Sequence, residues 1–149
     1  IMNDGQIEQI DSPEQIYNKP STRFVAEFMD PAAFIDIEIE DPHTLVTEIG
    51  KVIITDPVDT SDDNLQLLLR GNNVTLSPVI GTSTVDSVEF RGSHYSNTIR
   101  LQSGKVIEYM SQGKIFEVSQ PVSVEINRSL PMHIYKNEKY RYSATVSSA

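Results

Sequence analysis

The sequence predicts a mainly β protein: a small antiparallel barrel or sandwich preceded by a short hairpin and two short helices. Three observations predict it. Residues 34–40 alternate strictly, with Ile35, Ile37 and Ile39 on one face and carboxylates on the other, the period of a half-buried strand. Short β-branched and apolar runs follow at 45–47, 52–55, 65–70, 74–77, 83–90, 97–101, 106–110, 122–126, 133–135 and 142–146, separated by Gly50, Gly71, Gly81, Gly92, Gly104 and Gly113. Close spacing of short strands with turn residues between them is an all-β signature. Helix signals, by contrast, are confined to the first 30 residues.

Taken in order, Asn3-Asp4-Gly5 lies between two short β-branched runs and reads as a hairpin. With no initiator Met ahead of it, the hairpin is already under way, so an upstream body is expected. Ser12-Pro13-Glu14-Gln15 then combines an N-cap Ser, Pro at the first helical position and a capping-box Gln, opening a short helix through about Tyr17. Pro20-Ser21 stops it and starts another. In that second helix Phe24, Val25 and Phe28 share one face and are expected to pack into a core. The polar face of the 34–40 strand is expected simply to be wet. Leu101-Gln102-Ser103-Gly104-Lys105-Val106 reads as a tight hairpin with Gly at positive φ.

Composition narrows the chemistry. At 149 residues the chain can bury a self-sufficient core. It has no Cys, which removes disulfide frameworks, thiolate metal sites and cysteine nucleophiles together. The formal net charge is −9, and between Asp36 and Asp63 nine carboxylates face only Lys51. Such a field opposes binding to nucleic acid or to an anionic membrane. No run approaches the roughly 18 to 20 apolar residues of a membrane span.

No catalytic, nucleotide-binding or metal site is expected. His43, His94 and His133 stand in different segments without i, i+4 pairing, and read as surface or turn residues. The loop Asp56 to Asn64 carries four carboxylates but lacks the central Gly and terminal Glu of a calcium loop, so it reads as solvated. Neither a Gly-x-Ser-x-Gly elbow nor a Gly-x-x-x-x-Gly-Lys-Ser/Thr phosphate loop occurs.

Several motifs nevertheless carry a resemblance. Asn3 to Gln9, Ser12 to Pro20 and Phe24 to Phe28 are similar to the closing stretch of the ATP-binding domain in ABC-type importer subunits of the maltose, polyamine, sulfate and ferric-iron group. Further on, "LLLRGNNVTLSP" (Leu67 to Pro78) resembles the Leu-x-Arg-Pro-Glu-x-Val/Leu-x-Leu run of their C-terminal regulatory region, an OB-like β module called the transport-associated OB (TOBE) domain. Arg70, Val74 and Leu76 are kept, while Gly71 and Asn72 replace the usual Pro and Glu. "GTSTVDSVEFRGSHYSNTIRLQSGKVIEY" (Gly81 to Tyr109) and "HIYKNE" (His133 to Glu138) resemble later strands of the same module.

The resemblance implies an ATP-binding remnant over 1–30 and an OB-like regulatory domain over 31–149. Arg70 and Gly92 would be structural motif residues. A Glu at position 72 could accept local backbone hydrogen bonds, a role Asn72 fills only in part. The implied role is to hold two ATPase subunits together and to tune uptake; among the group's cargoes the acidic bias of the chain favours ferric iron or a polyamine over sulfate, since like charges repel an oxyanion. Implied partners are a second copy of the chain, membrane permease subunits reached through the ATPase domain, and a regulatory solute or protein, but no nucleic acid. ATP and Mg belong only to the full-length subunit, which would be a transport ATPase on the cytoplasmic side of the membrane, whereas this fragment is expected not to be an enzyme. The candidate regulatory turn is Arg91, Ser93, His94 and Tyr95, polar groups projecting from a strand connection. The alternative function is an oligonucleotide-binding OB domain, which the −9 charge opposes. Residues 1–30, whose Ile7, Ile10, Ile16, Phe24, Val25 and Phe28 would otherwise stand in water, are expected to lie against the β module or against the same segment of a second chain.

Overall fold

A computed structural model of the chain describes residues 1–7, 9–29 and 31–147, with Met29 described only as part of its helix. Glu8 of the opening motif and Asp30, at the expected boundary, lie outside the described residues. The fold is mainly β and OB-like, with the hairpin and two helices where the sequence places them.

Strands β1 (Met2–Asn3) and β2 (Gln6–Ile7) pair as an antiparallel hairpin. Asp4 and Gly5 form its turn with φ of 50° and 74°, the left-handed pair that a two-residue loop matches to strand twist. Helix α1 (Pro13–Asn18) is capped as expected, Ser12 accepting a hydrogen bond from the Gln15 amide. Helix α2 (Arg23–Met29) follows, and Thr22 Oγ1 accepts from the Val25 amide at its start.

From there the chain forms two sheets. One has the order β13-β12-β6-β3-β4-β5, built from β3 (Ala33–Asp41), β4 (Thr44–Thr47), β5 (Gly50–Ile53), β6 (Leu65–Leu69), β12 (Met132–Lys136) and β13 (Lys139–Ala144). Its two edges meet: Ile54 and Val146 form a bridge, with Ser147 N donating to Ile53 O at 2.7 Å. The other sheet has the order β10-β9-β8-β11-β7, from β7 (Val74–Ser77), β8 (Ser83–Phe90), β9 (Tyr95–Arg100), β10 (Val106–Ser111) and β11 (Pro121–Ile126). The last strand begins three residues earlier than the sequence suggests, because Asn137 and Glu138 both adopt positive φ and make the tight turn themselves.

The main core lies between the sheets. Ile35, Leu67 and Ile134 form one row across three neighbouring strands, facing Val85, Ile99, Ile107 and Val122 of the second sheet. Every buried residue of this core comes from residue 33 onward.

Two expectations about faces are corrected. In α2 it is Val25 and Ala26 that are fully buried, whereas Phe24 is 37% and Phe28 65% exposed. The helix touches the β module along one edge only, and a stripe centred on Phe24 and Phe28 would point away from it. Strand β3 is likewise not wet along its whole outer face. Asp36, Glu38 and Glu40 are exposed there, but Phe34 on the same face is 1% exposed. It belongs to a second cluster with Ala26, Leu68 and Tyr135, outside the main core and beneath α2.

The Gly71 departure has a steric reason in this chain. Gly71 opens a 3₁₀ turn (Gly71–Asn73), and a Cβ there would sit 2.2 Å from the Glu108 carbonyl oxygen of β10. The turn therefore seats backbone on backbone, covering part of that edge strand. Gly71→Ala should cost about 1 to 3 kcal/mol, as other forced overpacking does, read as a lowered urea midpoint. Gly113→Ala, which meets nothing within 4 Å, is the control and should leave the midpoint almost unmoved.

Candidate functional site

Two regions stand out, the expected hairpin tip and a seam between the N-terminal helices and the β module. The tip joins β8 to β9. Arg91 N donates to His94 O at 2.8 Å, and Gly92 takes φ 88°, a conformation that costs glycine little. Ser93 Oγ lies 3.0 Å from His94 Nδ1, and Arg91 pairs with Glu89 at 3.0 Å. Beneath the turn the Tyr95 ring sits 5.2 Å from that of Phe90, which is 65% exposed. Arg91, Ser93, His94 and Tyr95 are thus gathered at one exposed end of the module. An exposed Phe90 and a half-buried Tyr95 beside an Arg have the composition of an interaction surface.

The seam is built on Arg70, which ends β6. Its backbone is fixed from both sides: Arg70 N donates to Asn73 Oδ1 at 2.8 Å and Asn73 N donates to Arg70 O at 2.9 Å. The side chain accepting a local backbone hydrogen bond is therefore that of Asn73, not Asn72. Arg70 is 4% exposed. Its Nη2 donates to Ala26 O at 3.1 Å and, at 3.5 Å, lies at the limit of a bond to Tyr17 O. Its guanidinium stacks 4.5 Å from the Tyr17 ring centroid. Both carbonyls belong to last turns of helices, where four C=O groups have no intrahelical partner and the dipole favours a cation. Neither helix carries a basic residue in its own last turn, so Arg70 supplies the cation from a strand.

Three more contacts complete the seam. The Tyr135 hydroxyl donates to Pro20 O at 2.6 Å, and burial pushes its pKa well above the usual phenol value. Tyr140 N donates to Ser21 O at 2.9 Å and Arg23 N to Glu138 O at 2.8 Å, so residues 21–23 pair briefly with the start of β13. Lys19 lies 4.9 Å over the Tyr140 ring. Beside these, Tyr17, Asn18, Leu68, Arg70, Leu130 and His133 border a cleft of about 280 Å³.

The acidic loop is not a cation cage. Asp62, 5% exposed along its side chain, pairs with Lys136 at 2.6 Å and Arg141 at 2.8 Å; those partners, Lys136 first, hold its carboxyl below the usual range. Asp59 accepts from the Ser61 hydroxyl and amide. Among the described residues no three His, Cys, Asp or Glu side chains converge as metal ligands.

No protein-family model matches the chain. Curated proteins do. The spermidine/putrescine import ATP-binding protein PotA of Spiroplasma citri is 30% identical over 114 residues, 72% of this chain and 32% of the relative. That of Desulfitobacterium hafniense (strain Y51) is 30% identical over 146 residues, 93% of this chain and 40% of the relative. The chain is a relative of ABC importer ATP-binding subunits. A Fe(3+) ions import ATP-binding protein, FbpC of Brucella abortus (strain 2308), is 29% identical over 112 residues, 71% of this chain and 32% of the relative. The chain thus spans roughly a third of the length of the importer subunits it matches. Its fold agrees with the OB-like regulatory module that the resemblance implies.

The Arg70 staple was half legible: the motif marks the residue, but nothing in the sequence says what it holds. Phe34, Leu68 and Tyr135 were missed. Their signal is a break in alternation, as in Leu67-Leu68-Leu69 and Ile134-Tyr135, where a strand covered on both faces reads as a continuous apolar run.

His133 gives the seam a measurable pH dependence. Its Nδ1 lies 2.6 Å from Ser143 Oγ, and burial, then the nearby Lys19 charge, lower its pKa from the ordinary 6.5. The unfolded chain therefore takes up this proton at higher pH than the folded one. Stability is complete above about pH 6.5 and falls as pH drops from there through the folded value. Urea midpoints should fall between pH 7 and pH 5, and fall less in His133→Gln; an equal fall in both proteins would contradict this.

Proposed function

We propose that the chain is the C-terminal regulatory and dimerisation module of an ABC importer ATP-binding subunit, with a polyamine or ferric iron as cargo. One observation carries the reading: a polyamine-import ATP-binding protein aligns over 93% of this chain. The OB-like module behind two short helices supports it. So do the apolar groups facing outward from the first 30 residues, Ile7 at 63%, Ile10 at 79% and Phe28 at 65% exposed. An ATP-binding body joined to this segment would cover them, each such side chain contributing about 1.5 to 3 kcal/mol on burial.

In this reading the subunit works on the cytoplasmic side, docked to membrane permease subunits through its ATP-binding body. Two modules meet across a two-fold axis. A regulatory solute or protein that binds one dimer geometry better than another then biases ATP-site closure by its differential affinity, typically about 1 to 3 kcal/mol. The hairpin tip at Arg91, Ser93, His94 and Tyr95 is the surface offered to that second copy or regulator. ATP with Mg would be held in the part of the subunit this chain does not span.

Two measurements test the reading. Calorimetric titration of the chain with Mg-ATP should give no saturable binding, and micromolar affinity would overturn it. Light scattering at rising concentration should show a dimer that burial of more than about 800 Å² in total sustains; a monomer at every concentration would overturn the dimerisation role.

A further inference from the structure

We propose that residues 13–29 form a latched strap, able to leave the β module without unfolding it, and that the Tyr135 hydroxyl and the Arg70 guanidinium are its latch. The latch stands on geometry alone. Its regulatory consequence, that this strap carries movement between the module and the ATP-binding body, rests on the function proposed above.

The strap is not part of the main core. That core holds no residue from before position 33, and its six-stranded sheet is joined edge to edge without help from the strap. What the strap contributes is Val25 and the small cluster of Ala26 with Phe34, Leu68 and Tyr135. Its other attachments among the described residues are directional ones, including Tyr135 to Pro20, Arg70 to Ala26 and Tyr17, the backbone bonds that join residues 21–23 to Glu138 and Tyr140, and the cation–ring contacts of Lys19 with Tyr140 and Arg23 with Phe34. A hydrogen bond of fixed geometry is made or lost, so a latch of this kind switches between two states and does not deform gradually.

The strap also lacks stability of its own. Helix α1 has six residues and α2 seven, well short of the roughly 12 to 15 that an isolated helix needs in water. Arg70 bonds a terminal carbonyl of α2 and stacks on Tyr17 in the last turn of α1, so release from the module removes both contacts together with the packing of Ala26. Undocking is therefore an order-to-disorder step, and docking folds the strap.

Amide hydrogen exchange by NMR on the 149-residue chain tests this residue by residue. The reporters are the Arg23, Ala26 and Tyr140 amides, which donate to Glu138 O, Thr22 O and Ser21 O. Tyr135→Phe removes one hydroxyl and keeps the ring; Arg70→Lys keeps the charge but loses the planar fork that stacks on Tyr17. Each should speed exchange at the three reporters by about fivefold to tenfold, the factor one buried hydrogen bond is worth. Amides of β3 and β6 should keep their wild-type rates. Equal acceleration throughout the chain, or none at the reporters in either variant, would overturn the latch.

A second arm separates the latch from its use. In the full-length subunit, Mg-ATP should alter exchange in β12 and β13, and Tyr135→Phe should abolish that response while leaving nucleotide affinity unchanged. A wild-type subunit whose β12 and β13 ignore Mg-ATP would overturn the coupling while the result on the isolated chain still stands. Loss of nucleotide affinity in Tyr135→Phe would likewise overturn it.

Discussion

A guanidinium buried between two helices and a β module constrains everything around it. Taking Arg70 out of water is expensive, and the expense persists in real proteins at several kcal/mol unless the donors are satisfied. Here helix-terminal carbonyls and an aromatic face meet it. The helices gain a cation at ends that have none of their own, and the strand gains a roof. Each partner is incomplete without the other, which is why a segment with so little apolar contact still has one defined position.

The consequence reaches into the sheet. A strand with one face in a core and one in water alternates, and β3 does so from Ile35 to Ile39. Under the strap the outer face becomes interior, and Phe34, Leu68 and Tyr135 occupy it, Tyr135 meeting Phe34 edge-on at 5.2 Å. Tyr135 serves both sides of the seam, its ring filling the small cluster and its hydroxyl reaching Pro20. The two apolar clusters divide the labour: the larger holds the β module together, and the smaller orients the segment that, in the proposed function, leads to the ATP-binding body.

Much of this was legible in the sequence because it is local. Asp4-Gly5, Ser12-Pro13 and the Ile35–Ile39 alternation each specify their conformation within a few residues, and the structure follows them. What could not be read depends on distant partners. Which face of α2 is buried is decided by Phe34, Leu68 and Tyr135, none of them neighbours in sequence. The replacement of Pro-Glu by Gly71-Asn72 looked like a loss of local hydrogen bonding; in the fold Asn73 makes that bond, and Gly71 matters for its close approach to Glu108. The hairpin tip was placed correctly at the end of β8, yet the exposed Phe90 beside Tyr95 was not singled out, since a lone aromatic at a strand end reads as an ordinary strand residue.

The most direct test is a double-mutant cycle between Arg70 and the strap. Unfolding free energies would be measured for the intact chain and for a chain starting at residue 30, each with Arg70 and with Arg70→Met. If Arg70 acts through the strap, the substitution costs about 2 kcal/mol or more in the intact chain, where buried carbonyls lose their partner. In the shortened chain, where the position opens to solvent, the cost should fall below about 0.5 kcal/mol, so that the two changes couple strongly. An equal cost in both chains would show that Arg70 serves only the β module, and would contradict the central role given to it here.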